Sequence, residues 1–332
     1  MTQSGMSQED TALASEVTVV VCAFTAERLE LTCAAVEALR NQATPPALVL
    51  VVDHNDSLLL ALIDRLPGVQ VLANEGPKGL SGGRNTGLRH ARTPIVAFVD
   101  DDAEAQPGWT EAIAAPFADP EVVAVGGLVL PAWSGDEPRW FPPEFLWAVG
   151  CTYRGMVTQG AVRNPLGANM AFRAEIALRA GEFDPALGRV GYLPFGCEET
   201  ELCVRIRRIA PRAKVVIAPA AVVRHHVPPE RSTMRYLMTR SYYQGIGKAM
   251  LRHRADSAAL GTERAYTLQV LPRAVLTDVA GLIRGQQPRR RAKRIFAICG
   301  SLALAGMGFA VGHAQNLRGR PAAIQAVAND QS

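Results

Sequence analysis

Apolar positions along this chain fall into short unbroken runs, separated by stretches whose apolar residues recur at helical spacing. Residues 17–22 (Val-Thr-Val-Val-Val-Cys) and 48–52 (Leu-Val-Leu-Val-Val) are β-branched runs without alternation. Such runs suit strands covered on both faces. Between them, Leu29, Ala35, Val36 and Leu39 mark one face of a helix over 29–40 that ends before Pro45-Pro46. Two strand–helix steps within about fifty residues predict right-handed βαβ connections and a parallel sheet. The same reading predicts strands at 69–72, 95–99, 122–130, 164–173, 214–218 and 222–226. It predicts helices through His90, over 108–117, up to Ala180, from Gly196 with Leu202, Ile206 and Ile209 on one side, and over 232–256.

The run at 95–99 drives directly into Asp100, Asp101 and Asp102. Carboxylates there lie at the C-terminal end of a strand, where open α/β sheets place their ligand crevice. Alternation along an extended chain puts Asp100 and Asp102 on one face and turns Asp101 away. Two converging carboxylates repel unless a cation lies between them, and hard oxygen ligands suit Mg²⁺ or Mn²⁺. The plainer reading is a solvated acidic turn. Asp53 also follows a strand, and residues 74–87 form a glycine-rich loop with Lys78 and Arg84, a pattern that lets backbone N–H groups approach phosphate. It is neither a P-loop nor the glycine turn of a dinucleotide fold.

Composition narrows the class. The 332 residues are 48% hydrophobic and 20% charged, enough for one large α/β domain with an extension, and the net charge of +4 gives no case for nucleic acid. Six cysteines without a CxxC pair fit a reduced, cytoplasmic setting. Residues 1–16 lack a basic, apolar leader pattern and read as a disordered tail. At the other end, a basic cluster at 289–294 precedes the uncharged stretch 295–312, which carries a GxxxG pair at Gly308 and Gly312. That stretch reads as a core helix, a short span, or a helix lying on an anionic bilayer. The aromatics of 131–163 leave two readings, a packed excursion or a stacking wall for an acceptor.

In order, the chain carries Cys22-Ala23-Phe24-Thr25, Val51-Val52-Asp53, Gly82-Gly83-Arg84-Asn85-Thr86-Gly87, Phe98-Val99-Asp100-Asp101-Asp102, and Gly167-Ala168-Asn169-Met170-Ala171-Phe172-Arg173. Gly181-Glu182-Phe183-Asp184, Cys197-Glu198-Glu199-Thr200-Glu201-Leu202 and Val223-Arg224-His225 follow. This ordered set resembles glycosyltransferase family 2, in wording nearest its actinobacterial members. The resemblance implies the GT-A fold, a Rossmann-like mixed, mainly parallel sheet with flanking helices, over residues 17–230. Residues 231–332 read as a C-terminal helical region, for which membrane association is one of the readings given above.

By that resemblance Cys22, Phe24, Asp53, Arg84, Asp100 and Asp101 bind the nucleotide sugar, and Asp102 and His225 hold Mg²⁺ or Mn²⁺. Asn169 and Glu198 face the acceptor. Glu199 inherits the position of the catalytic base, where the family usually has the aspartate of a Glu-Asp pair. The implied reaction is inverting, metal-dependent transfer of a sugar from a nucleotide-diphosphate donor to a hydroxyl of a cell-envelope glycan or glycolipid, at the inner face of the cell membrane. Two alternatives from other classes remain: a nucleotide-sugar-binding, membrane-peripheral protein without turnover, and a phosphohydrolase using Asp100 as nucleophile.

Overall fold

In the computed structural model of the protein, residues 8–189, 196–254 and 266–317 are described. The described residues fall into two units. One comprises Met1–Leu130, Val157–Pro185 and Glu198–His225; the other comprises Pro131–Met156, Ala186–Cys197 and His226–Ser332.

The first unit opens with helix α1 (Gln8–Ala14), so the expected disordered tail over 1–16 is corrected for these residues. Strand β1 (Val17–Ala23), helix α2 (Leu29–Arg40), strand β2 (Ala47–Val52) and strand β3 (Gln70–Ala73) follow as predicted, and helix α3 (Asp56–Arg65), which the sequence pattern did not single out, lies between β2 and β3. Helix α4 (Leu80–His90) and strand β4 (Ile95–Asp100) complete a parallel run, because β1 pairs with β2 and β4, and β2 with β3. Register places Cys22 opposite Asp100, so the ends of β1 and β4 deliver their side chains to the same edge.

Strand β5 (Ala103–Ala105), helix α5 (Trp109–Ala114), strand β6 (Val122–Trp133), the short strand β7 (Gly160–Ala161) and strand β8 (Asn169–Arg173) come next. After them lie helix α6 (Ala174–Arg179), helix α7 (Glu198–Ile209) and strand β9 (Lys214–Val227). The sheet order is β3-β2-β1-β4-β8-β6-β9-β5, with β7 on β9. Beyond β4 the pairing with β8 turns antiparallel, which makes the sheet mixed. Phe98, Phe172 and Phe183 meet edge-on in the core beneath it.

Two local expectations change. The segment Gly82–Gly87 is helical rather than a loop; the loop is only residues 74–79. Glycines are needed because the helix lies close to its neighbours. A Cβ on Gly82 would sit 1.9 Å from the Pro77 carbonyl oxygen, and one on Gly87 would sit 2.2 Å from Val20 Cγ1. The two strands expected on either side of Pro219 are one strand, β9. It pairs β7 at Val216 and Ile217 and β5 at Val223 to His225, and Pro219 falls between these two short ladders.

In the second unit, the aromatics of 131–163 pack on one another: Trp133 and Trp140 on Phe141, and Phe145 on Trp147. Helices α8 (Met234–Arg254), α9 (Leu271–Ile283) and α10 (Pro288–Leu317) form the C-terminal region. Gly245 and Gly308 let α8 and α10 touch backbone to backbone, since a Cβ on either would lie 2.0 Å from a carbonyl oxygen of the other helix. The expected GxxxG face is thus used within the chain.

Candidate active site

The site grows from the end of β4. The strand stops at Asp100, and Asp101 and Asp102 form a turn before β5. The turn, rather than continued alternation, separates the three side chains. Asp100, Asp102 and His225 converge, with candidate ligand atoms all within 4.8 Å of one another. Asp102 Oδ1 lies 3.0 Å from His225 Nε2, and both side chains are buried. Register explains the approach: β5 pairs with β9 so that Ala103 lies opposite His225. One imidazole and two carboxylates are a donor set that accommodates Mg²⁺ or Mn²⁺.

Arg28 enters the same cluster. Its Nη1 lies 2.9 Å from Asp101 Oδ1 and 2.9 Å from Asp102 Oδ2, and its guanidinium rests over the Phe24 ring at 5.6 Å. Asp101 is buried against this arginine, and its Oδ2 has no hydrogen-bond partner among the described residues. Burial, and then the neighbouring Asp102, push the Asp101 carboxyl up to about 7. Asp101, expected as a nucleotide contact, is thus paired with Arg28 in a buried position. Arg28 is not among the residues that the sequence pattern singles out. The available signal was a lone cation in the turn after β1, opposite a strand ending in three acids.

Arg84 departs from expectation too. It is buried, with Nη1 donating to Glu198 Oε1 at 2.7 Å and Nη2 donating to the Gly167 carbonyl at 2.9 Å and to Asp100 Oδ1 at 3.3 Å. The guanidinium stands near the Phe98 and Phe183 rings. It ties α4, β4 and α7 together instead of presenting itself to a diphosphate. Glu198, expected to face the acceptor, is buried in that pair.

Glu199, the next residue, is only partly buried. Asn164 Nδ2 and Thr200 Oγ1 donate to its Oε1 at 3.4 and 3.3 Å. Burial first, and then the negative Glu198 beside it, raise the Glu199 carboxyl to about 7, against the opposing charges of Arg84 and Arg163. A carboxylate tuned to that range can both wait ionised and accept a proton. The loop before it includes residues 190–195, which lie outside the described residues, Pro194 among them.

Asp53 sits at the end of β2 in a cage. Asn74 Nδ2 donates to its Oδ1 at 2.7 Å, the Gly79 N–H donates to its Oδ2 at 2.9 Å, and His54 Nδ1 lies 2.8 Å from Oδ1. Asn74, a hub not singled out in the sequence, also accepts from the Gly76 N–H and the Thr86 hydroxyl. His54 has φ of 50°, a left-handed conformation that fixes the turn under Asp53. Cys22 lies beneath Gly83, whose added Cβ would sit 3.3 Å from the sulfur. Burial pushes its thiol up to about 12, so it is neutral.

Asn169 is the clearest correction. It is fully buried: its Oδ1 accepts from Trp109 Nε1 at 2.9 Å, and its Nδ2 donates to the carbonyls of Leu128 at 3.0 Å and Ala221 at 2.9 Å. With its side chain engaged by three elements, it clamps the sheet and reaches no acceptor. Asn169→Ala is therefore expected to cost about 2–4 kcal/mol of stability by orphaning buried partners. Chemical denaturation checks this, with acceptor KM unchanged in the folded fraction; a raised KM at full stability would restore the acceptor role.

A family model described as Glycosyl transferase family 2 matches residues 18–179. The chain is 34% identical over 242 residues to the glucosyl-dolichyl phosphate glucuronosyltransferase of Haloferax volcanii, covering 71% of this chain and 77% of that one. It is 27% identical over 196 residues to a pre-mycofactocin glycosyltransferase of Mycobacterium tuberculosis, covering 58% of this chain and 39% of that one. Among solved structures, a mannosyltransferase of Pyrobaculum calidifontis, held in complex with GDP-Man and Mn²⁺, superposes with a TM-score of 0.57 at 19% identity. The match spans 88% of this chain and 87% of that one, a likeness of fold. With the motifs in order on a GT-A sheet, and a third of the residues shared across most of a named relative, the chain belongs to glycosyl transferase family 2 and is a glycosyltransferase.

Proposed function

We propose that this glycosyltransferase moves a hexosyl group from a nucleoside-diphosphate sugar to a hydroxyl of a cell-envelope glycan or glycolipid, with inversion at the anomeric carbon. The observation that carries the reading is the convergence of Asp100, Asp102 and His225 at the strand end. Residues 17–230 form the catalytic domain in this reading. A lipid-linked acceptor is supported by the Haloferax relative, whose name includes a dolichyl phosphate. A peripheral position at the inner face of the membrane agrees with such an acceptor.

Asp100, Asp102 and His225 would hold Mg²⁺ or Mn²⁺, which neutralises the negative charge of a leaving diphosphate. Asp53, held by Asn74 and Gly79, would bind the nucleotide base in this reading. The Glu199 carboxylate takes the acceptor hydroxyl's proton as that oxygen forms its bond to the anomeric carbon. The bond from that carbon to the diphosphate oxygen breaks, and its electron pair leaves with the diphosphate. Arg84 keeps Glu198 and Asp100 in register beneath the reacting groups.

The test is a thermal-shift screen of nucleotide sugars with Mn²⁺, followed by donor hydrolysis and transfer with the stabilising donor. One donor class should raise the melting temperature, EDTA should stop turnover, and Mg²⁺ or Mn²⁺ should restore it. Full turnover in chelator would overturn metal dependence. Release of nucleoside monophosphate and sugar 1-phosphate instead of nucleoside diphosphate would overturn the transferase chemistry.

A further inference from the structure

The C-terminal helices carry an uncovered apolar surface that catalysis does not use. Only 28% of the apolar window in the helix Pro288–Gln315 is buried, too little for a core helix. Ile283 is 83% exposed, Leu276 65%, Phe296 63% and Met307 57%. On α9, Leu276, Val279 and Ile283 follow helical spacing, and on α10 so do Phe296, Cys299, Ala303, Met307 and Ala310. Contiguous uncovered apolar stripes of this kind mark contact surfaces.

Charge indicates what covers them. Residues 266–317 contain seven Arg or Lys and a single acid, Asp278. That acid is buried and taken up by Arg291 and Arg294, at 3.1 and 2.9 Å, and Glu144 draws Arg294 to 3.5 Å. Part of the basic cluster is thus consumed inside the unit. Arg273, Arg284, Arg289 and Arg290 stay exposed beside the apolar stripes, and residues 266–317 offer no exposed acid to pair with them. A second copy docking through this face would bring like charges together, whereas an anionic lipid surface complements them.

Packing argues against a span. Helix α8 lies parallel to α10, with Met238 against Gly300, Gly245 against Ala305, and Ala249 against Gly312. That arrangement carries Arg240, Lys248 and Arg252 alongside the uncharged stretch of α10, and the Arg252 guanidinium stands 5.9 Å from the Phe309 ring centre. Drawing α10 across hydrocarbon would carry these cations with it. A helix with one apolar face and a basic border instead rests in the headgroup region.

We infer that α9 and α10 form a platform that lies on an anionic membrane surface through Leu276, Ile283, Phe296 and Met307, with Arg284 and Arg289 at its border. The inference sharpens the peripheral location proposed above and is independent of the transfer chemistry. Its test is sedimentation of the full chain with phosphatidylcholine vesicles, with and without phosphatidylglycerol. Binding should require phosphatidylglycerol, weaken with salt and be released by alkaline carbonate. Phe296→Glu with Ile283→Glu should weaken it by about tenfold or more, and Arg284→Gln and Arg289→Gln by roughly fivefold each. These side chains are exposed, so thermal melting and the shift caused by the nucleotide-sugar donor should not change. Binding that ignores all four substitutions, or protein that resists carbonate, would overturn the platform. So would a wild-type dimer that fails to bind vesicles and is dissolved by the two Glu substitutions. Donor hydrolysis without vesicles reads the enzyme reaction separately: vesicle binding without turnover leaves the platform standing, and turnover without vesicle binding refutes the platform alone.

Discussion

Glu199→Gln is expected to bind the nucleotide-sugar donor almost normally and to lose transfer by about 10²-fold or more, the scale for removing a general base. Glutamine keeps the size and hydrogen bonding of the side chain but cannot take a proton. Donor affinity measured by calorimetry and kcat by product formation separate the two effects. The wild-type pH profile gives a second readout. Glu199 must be ionised to act, and burial beside Glu198 raises its carboxyl to about 7. The rate should therefore climb as pH rises through about 7 and level off above it, and the glutamine variant should lose that rising limb. Glu198→Gln removes the carboxylate that neutralises buried Arg84, so its main effect should be on stability. If Glu198→Gln instead abolishes kcat at normal stability while Glu199→Gln does not, the base is Glu198.

Asp102→Asn is expected to lower transfer on the order of 10³-fold, the loss of several kcal/mol of charge stabilisation at the leaving diphosphate. The substitution keeps the side chain's shape and one acceptor oxygen. It also removes one of the two carboxylates that share the Nη1 of Arg28, at 2.9 Å each. Some loss of melting temperature should therefore accompany the catalytic loss. Mn²⁺ titration of the folded variant, followed by donor-free calorimetry, distinguishes weakened cation binding from damaged packing. Normal Mn²⁺ affinity and turnover in the asparagine variant would remove Asp102 from the metal site.

Several features of the site were legible before folding because they are local. An apolar run ending in Asp100 predicts a strand with a carboxylate at its tip, and residues 47–53 repeat the pattern with Asp53. Strand content and parallel order near the N-terminus follow from β-branched runs spaced by amphipathic helices, and the convergence of Asp100 with Asp102 was legible as well. The partners of the charged groups were not. Whether an arginine faces a phosphate or a buried acid depends on which elements pack beside it, and nothing within a few residues encodes that.

The sequence by itself thus determined the parallel character of the sheet's first strands, the acidic strand ends and the family. Tertiary structure alone decided how the polar groups are spent. Arg84 and Glu198 are 114 residues apart, and Arg28 and Asp101 are 73 apart, yet each pair closes within hydrogen-bond distance in the fold. Asn169 was read as an acceptor contact and is a clamp, because three elements that close over it leave it no solvent. The sequence leaves open whether the stretch behind the basic cluster at 289–294 is a core helix, a span or a helix on a bilayer; Asp278 and Glu144 draw Arg291 and Arg294 inward, and the fold divides the cluster. The physical reason is common to all of these. Burying a charge or an amide is costly unless a partner of the right geometry is buried with it, and only the packed chain brings that partner into place.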